Sequence, residues 1–147
     1  MIERYTLPEM GKIWEDENRF KKMLDVEILA CEALSNLGKI PKDSLIKIKK
    51  GARLDIKEIK EIEEKTKHDV MAFVESIASK VGDAGRFIHM GLTSSDVLDT
   101  SLAVMMKEAA DILNVSLAAA KSRLHRGRLF LRGKLDHYFW ERIGRVG

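Results

Sequence analysis

The sequence predicts an all-α protein: a small helical N-terminal domain followed by the start of a long-helix bundle. Three observations predict it. Apolar residues recur at three- and four-residue steps along most of the chain. Only two prolines occur in 147 residues, Pro8 and Pro41, and neither interrupts a long periodic run. No stretch has the alternation that marks a half-buried strand.

The elements follow in order. Residues 1–8 read as extended, ending at Pro8. From about residue 9 to 37 the pattern is helical, with Phe20, Leu24, Ile28, Cys31 and Leu34 on one face and Ile13 two turns earlier. Gly38 suits a left-handed C-cap, and Pro41 keeps the helix from resuming. A short helix is expected over residues 44–50. In "DIKEIKEIEEKT" Asp55 is placed as N-cap with Glu58 three residues on, a capping-box arrangement. A further helix fits residues 69–81, with Val70, Phe73, Val74, Ile77 and Val81 on one face, and "GDAGR" breaks it. After Thr93 the residues Val97, Leu98, Leu102, Met105, Ala109, Ile112, Leu113, Leu117 and Leu124 form a stripe. Nothing punctuates that run before Gly127, so one helix longer than about 30 residues, or roughly 45 Å, is expected. It reads as a strut of a larger bundle, and its Met and Leu stripe as core or interface.

Composition narrows the function classes. The net charge of +3 hides an asymmetry: residues 121–147 carry eight Lys or Arg against two acids. A basic tail of this kind suits nucleic acid or an acidic surface. The single cysteine, Cys31, excludes an internal disulfide, fits a reducing compartment and has the apolar neighbours of a core residue. No apolar run reaches the roughly 18 residues needed to span a bilayer, and no apolar leader follows Met1; a cytoplasmic protein is expected. Metal-ligand spacings, Gly-rich phosphate loops and GxSxG are all missing.

The candidate chemistry clusters at helix starts. "KHD" (Lys67, His68, Asp69) opens one helix, where Asp69 is a cap candidate and His68 stands at the positive end. "HMGLTSSD" opens another and offers four candidate caps, Thr93, Ser94, Ser95 and Asp96, where one suffices. Exposed amides and surplus hydroxyls there make an anion site. "ERY" adds the guanidinium of Arg4 and the phenol of Tyr5. Each feature also has an ordinary structural reading, since helix-start Ser and Thr are usually caps and lone histidines usually sit on surfaces or in cores.

Taken together, "MIERYTLPEMGKIWEDENRF", "KHDVMAFVESI" and "HMGLTSSDVLDT", in this order and spacing, resemble bacterial adenylosuccinate lyases of the fumarase/aspartase superfamily over about residues 1–120. The resemblance implies β-elimination of fumarate from adenylosuccinate, giving AMP, and from the succinyl-carboxamide ribotide of purine biosynthesis. It implies no cofactor and no metal. It implies a helical N-terminal domain over 1–92 and the first long helix of a central bundle domain over 93–120, and leaves 121–147 as a divergent basic tail. It implies a homotetramer whose active sites draw on three subunits, with purine nucleotide and fumarate as ligands and neither membrane nor nucleic acid as partner. Arg4 and Tyr5 match residues that contact the nucleotide phosphate, and Arg19 matches a basic residue of the same pocket. Lys67, His68 and Asp69 match a substrate-binding segment whose histidine orients substrate and assists proton transfer. His89 falls beside the phosphate region, and Thr93 and Ser94, with Ser95 next to them, match a carboxylate-holding stretch.

The tail departs from that pattern. The family continues beyond the long helix with a "GRTHG"-type segment bearing the general acid, and later with a serine loop bearing the general base. Here "KSRLHRGRLFLRGKLDHYFWERIGRVG" contains neither, and His125 and His137 lack the setting. An incomplete, inactive form of the enzyme is therefore expected. Five arginines between Arg123 and Arg142 fit either a change of reading frame or a natural basic tail on a shortened paralogue. The alternative function is a non-enzymatic helical module whose tail binds nucleic acid or an acidic partner, with Phe130, Tyr138, Phe139 and Trp140 stacking on bases.

Overall fold

A computed structural model describes residues 6–143, with side chains described as far as residue 135 except those of residues 117 and 120. Arg4 and Tyr5 therefore lie outside the described residues. Among the described residues every regular element is helical, as the periodicity requires. The order is α1 (Pro8–Ile13), α2 (Asp16–Asn36), α3 (Lys42–Gly51), α4 (Ile56–Thr66), α5 (Asp69–Lys80), a 3-10 helix (Gly82–Phe87), α6 (Ser94–Ile112) and α7 (Leu117–Ile143). The chain divides into two compact units, Met1–Met106 and Lys107–Gly147.

The helix expected over residues 9–37 is in fact two. Trp14 N–H donates to the Gly11 carbonyl at 3.0 Å, closing α1 in a tight turn, and Glu15 is extended at φ −70°, ψ 149°. Asn18 Nδ2 donates to the Ile13 carbonyl at 2.9 Å and so serves the freed end of α1. No proline or glycine marks this break, so the pattern could not reveal it. On α2 the buried face is Phe20, Met23, Glu27, Cys31 and Ser35, while the expected Leu24, Ile28 and Leu34 are only half-buried beside it. Two polar members, Glu27 and Ser35, disguise the true stripe. The end is as expected: Gly38 at φ 72° and the Lys39 N–H bond to Leu34 O at 2.9 Å form a Schellman cap.

α4 and α5 pack as a pair, joined by one carboxylate. Asp55 caps α4 by accepting from Glu58 N–H at 3.0 Å. The Glu58 carboxylate does not complete the box; it accepts from Ser76 Oγ at 2.7 Å and pairs with Lys80 Nζ at 2.6 Å. Those contacts, Lys80 first, hold its pKa below the ordinary value. α5 buries Val70, Phe73, Val74 and Ile77, the expected face, together with Ala72 and Ser76. The Phe73 ring stacks on Phe20 of α2, centroids 5.9 Å apart. The 3-10 helix comes so close to α5 that a Cβ on Gly85 would lie 2.5 Å from the Ala78 carbonyl oxygen. Ile40, Ile48, Ile59, Ile88 and Val97 complete the core.

The single helix expected from Thr93 past Leu124 is also two. α6 ends at Ile112, where Asn114 takes φ 50° and Val115 N–H donates to Ala110 O at 3.0 Å. This is the same cap as at Gly38 with asparagine in the left-handed position, which its short polar side chain tolerates. Ser116 Oγ then accepts from Ala119 N–H at 3.1 Å and starts α7. α7 runs 27 residues with no apolar stripe; Leu124, Leu129, Phe130, Leu131 and Leu135 are exposed among its arginines. No described helix is long and apolar enough to cross a membrane.

Candidate functional site

The first turn of α6 resolves the surplus of hydroxyls. Thr93 Oγ1 accepts from Asp96 N–H at 3.3 Å, while Asp96 Oδ2 accepts from both Thr93 N–H and Thr93 Oγ1–H at 2.8 Å. Thr93 and Asp96 thus form a reciprocal capping box with aspartate in the role usually taken by glutamate. The Thr93 backbone N–H, then its hydroxyl, hold the Asp96 carboxyl below its ordinary pKa, with the nearby His89 adding to the effect. The box consumes the Thr93 hydroxyl. The hydroxyls of Ser94 and Ser95 have no hydrogen-bond partner among the described residues, and their amides lie in the first turn, where no intrahelical acceptor exists. Two hydroxyls and two amides are left for an anion at the positive end of a 19-residue helix.

The segment leading into α6 is sharply bent and tied down from below. His89 and Gly91 take φ 64° and 78°, and the side chains that would clash in that region explain the glycine. At His89 a buried carboxylate holds the unfavourable conformation. Glu27 of α2, 2% exposed, accepts His89 N–H on Oε2 at 2.8 Å and contacts His89 Nδ1 through Oε1 at 2.7 Å. Glu27 was not among the sequence candidates. Its signal was available: it falls in four-residue register with Met23 and Cys31, an acid on an apolar stripe.

The "KHD" segment forms the turn between α4 and α5. Lys67 caps α4 in the left-handed region at φ 56° and is exposed. His68, not Asp69, caps α5: its Nδ1 accepts from Met71 N–H at 3.3 Å. A neutral His68 therefore carries its proton on Nε2. Asp69 Oδ1 accepts from Val70 N–H at 2.7 Å and supplements the cap. Among the described residues no hydrogen bond or ion pair joins Lys67, His68 or Asp69 to His89, Thr93, Ser94 or Ser95. Arg19 stands in the first turn of α2, its guanidinium 4.6 Å from the Phe20 ring centre and 3.7 Å from Asp16. Its Nε is buried without a hydrogen-bond partner among the described residues. It lines a cavity of about 240 Å³ with Trp14 and with Leu98, Asp99, Ser101, Leu102 and Met105 of α6. The structure thus brings Arg19 and His89 to α6 and leaves the "KHD" turn at a separate helix start. No group of three or more His, Cys, Asp or Glu side chains suited to a metal occurs among the described residues.

Comparison with known proteins gives the chain a lineage. A sequence profile of the family described as Lyase matches residues 3–126. The adenylosuccinate lyase of Aquifex aeolicus (strain VF5) is 57% identical over 116 residues, 77% of this chain and 26% of that enzyme. Those of Synechocystis sp. and Bacillus subtilis (strain 168) are 53% and 51% identical over 113 residues, again 77% of this chain and 26% of theirs. Among solved structures, 3-carboxy-cis,cis-muconate lactonizing enzyme from Pseudomonas putida superposes with a TM-score of 0.67 at 25% identity, over 74% of this chain and 26% of that one. Fumarate lyase from Mesorhizobium sp. BNC1 gives 0.62 at 20% identity, over 67% and 24%, a likeness of fold. The chain spans about a quarter of the length of the curated relatives it matches, and it belongs to the lyase family, within the fumarase/aspartase superfamily, as an N-terminal portion resembling adenylosuccinate lyase.

Proposed function

We propose that this chain supplies the substrate-binding N-terminal portion of an adenylosuccinate lyase, the enzyme that eliminates fumarate from adenylosuccinate to leave AMP and acts likewise on the succinyl-carboxamide ribotide. The observation that carries the reading is the first turn of α6, where a Thr93–Asp96 box does the capping and leaves Ser94, Ser95 and their amides for an anion. The substrate offers two carboxylates and a phosphate, and helix-start amides, hydroxyls and cations are the groups that complement them. Thr93 fixes the turn through its box with Asp96, and Ser94 and Ser95 present their amides and hydroxyls to the substrate. Arg4, Tyr5 and Arg19 belong to the phosphate side, and Lys67 and Asp69 contact substrate. His68, with its ring proton on Nε2 when neutral, orients substrate and assists proton transfer in the elimination, in which the C–N bond breaks as a C–H proton leaves. No cofactor takes part.

The domain plan follows the family as far as residue 120, with a helical N-terminal domain over 1–92 and a first bundle helix over 93–120, and the basic tail over 121–147 departs from it. α6 leaves Leu102, Val104 and Ile112 exposed, and further copies of the subunit in a homotetramer cover them. In this role the protein acts in the cytoplasm, without membrane or nucleic-acid partners. A chimera tests the reading. Residues 1–112 replace the matching segment of one of the bacterial relatives, and the purified tetramer is assayed for fumarate release from adenylosuccinate. Turnover that His68→Ala or Ser94→Ala then removes is expected. A folded, tetrameric chimera with no turnover contradicts the assignment.

A further inference from the structure

α7 carries cations with no acid among them. No Asp or Glu falls between Asp111 and Asp136, and Lys121, Arg123, Arg126, Arg128, Arg132 and Lys134 all lie in that interval. All six are exposed, on one unbroken helix from Leu117 to Ile143. Helical geometry sorts them into two rows. At about 3.6 residues per turn, Lys121, Arg128 and Arg132, spaced by seven and four, share one side of the helix. Arg123, Arg126 and Lys134, spaced by three and eight, share the opposite side. Each row extends over roughly 16 Å of helix axis at about 1.5 Å per residue.

Two opposed rows suit a groove with an anionic wall on each side. A flat anionic surface meets only one side of a helix and draws in an apolar face, which α7 lacks. The major groove of duplex DNA is about 12 Å wide, admits one α-helix and is bordered by two phosphate chains. The corresponding groove of duplex RNA is deep and narrow. A single strand offers one phosphate chain and is held by stacking on aromatic rings, and Phe130 is the one aromatic residue between 121 and 135.

We infer that α7 is a binding element for duplex DNA: it lies in the major groove, with Lys121, Arg128 and Arg132 on the phosphates of one strand and Arg123, Arg126 and Lys134 on those of the other. The lyase reading concerns residues 1–120, so this inference stands apart from it and gives the departing tail a ligand of its own. Cations committed to phosphates position the helix without reading sequence. Each phosphate neutralised releases condensed counterions, which makes salt the diagnostic variable.

The full chain is titrated into a fluorescent DNA duplex of mixed sequence and followed by anisotropy. Six phosphate contacts predict an affinity that falls about 10³-fold between about 50 and 200 mM salt, a slope near −5 on logarithmic axes. One variant combines Lys121→Gln, Arg128→Gln and Arg132→Gln; a second combines Arg123→Gln, Arg126→Gln and Lys134→Gln. Glutamine is a good helix former, so circular dichroism should be unchanged while each variant makes the slope shallower by about three. A slope insensitive to either row overturns the inference. So does tighter binding to the single strand, to an RNA duplex of the same sequence or to phosphatidylserine-containing vesicles, and so does no binding to duplex DNA at low salt. Should a glutamine variant lose its helix, the ranking of these four probes by the unsubstituted chain decides.

Discussion

Asp96 illustrates how single groups tune this molecule. Its folded pKa lies below the ordinary carboxylate value because Thr93 donates to it twice. A carboxylate of depressed pKa contributes stability that is fully present above its unfolded value, near 4, and lost as pH falls through its folded value. Asp96→Asn is accordingly expected to lower the thermal midpoint at pH 7 and to make no difference at pH 2. Equal effects at both pH values would place its contribution in packing instead. Cys31 is tuned the other way: burial first, then the charge of Glu27, pushes its thiol up to about 11. The thiolate is the reactive form, so Cys31 is expected to resist aromatic disulfide reagents at pH 8 until denaturant is added. Rapid reaction of the folded chain would show that the α2 face opens.

At the scale of elements, close approach and caps decide where the chain turns. Gly85 sits against the α5 backbone, and a methyl group there would lie 2.5 Å from Ala78 O, a clash with main chain that cannot swing aside. Gly85→Ala is expected to cost about 1–3 kcal/mol in chemical denaturation. Gly127, inside α7 with nothing within 4 Å of its would-be Cβ, should instead gain several tenths to about 1 kcal/mol as Ala. The two changes having the same sign would contradict the packing described. Caps also explain what the sequence could and could not reveal. Gly38 announced its Schellman turn because glycine before a proline has few other readings. Asn114 makes the same turn unannounced, since asparagine inside an apolar periodicity looks like one polar residue of a helix. α5 was legible to within a residue because most of its buried face is apolar, Ser76 excepted. α2 was not: Glu27 and Ser35 lie in its buried face, so the visible leucines pointed to a register about one residue off. The hydroxyl cluster at α6 was legible as a surplus. Glu27 carried a signal in its register with Met23 and Cys31, but its pairing with His89 was not legible, because the two lie 62 residues apart.

The whole molecule is expected to be more sticky and less capable than its likeness suggests. Leu102, Val104, Ile112 and Leu113 of α6 and the turn after it are 40–52% exposed, a surface that favours association. Sedimentation of the purified chain should therefore show oligomers whose population grows with concentration; a sharp monomer at every concentration would refute it. Neither the general-acid nor the general-base motif of the family occurs among the 147 residues, and such groups contribute about 10²–10⁴-fold each. Assayed alone, the chain should release no fumarate above background.

The central claim is that the start of α6 receives the anionic part of a purine nucleotide. Titration of the full chain with AMP and, separately, with adenosine tests it most directly, read at the backbone amides. The account predicts that AMP, binding more weakly than micromolar, shifts the amides of Ser94 and Ser95, that adenosine leaves them in place, and that Ser94→Ala with Ser95→Ala removes the response. Identical shifts with adenosine, or AMP shifts that spare Thr93, Ser94 and Ser95, would contradict it.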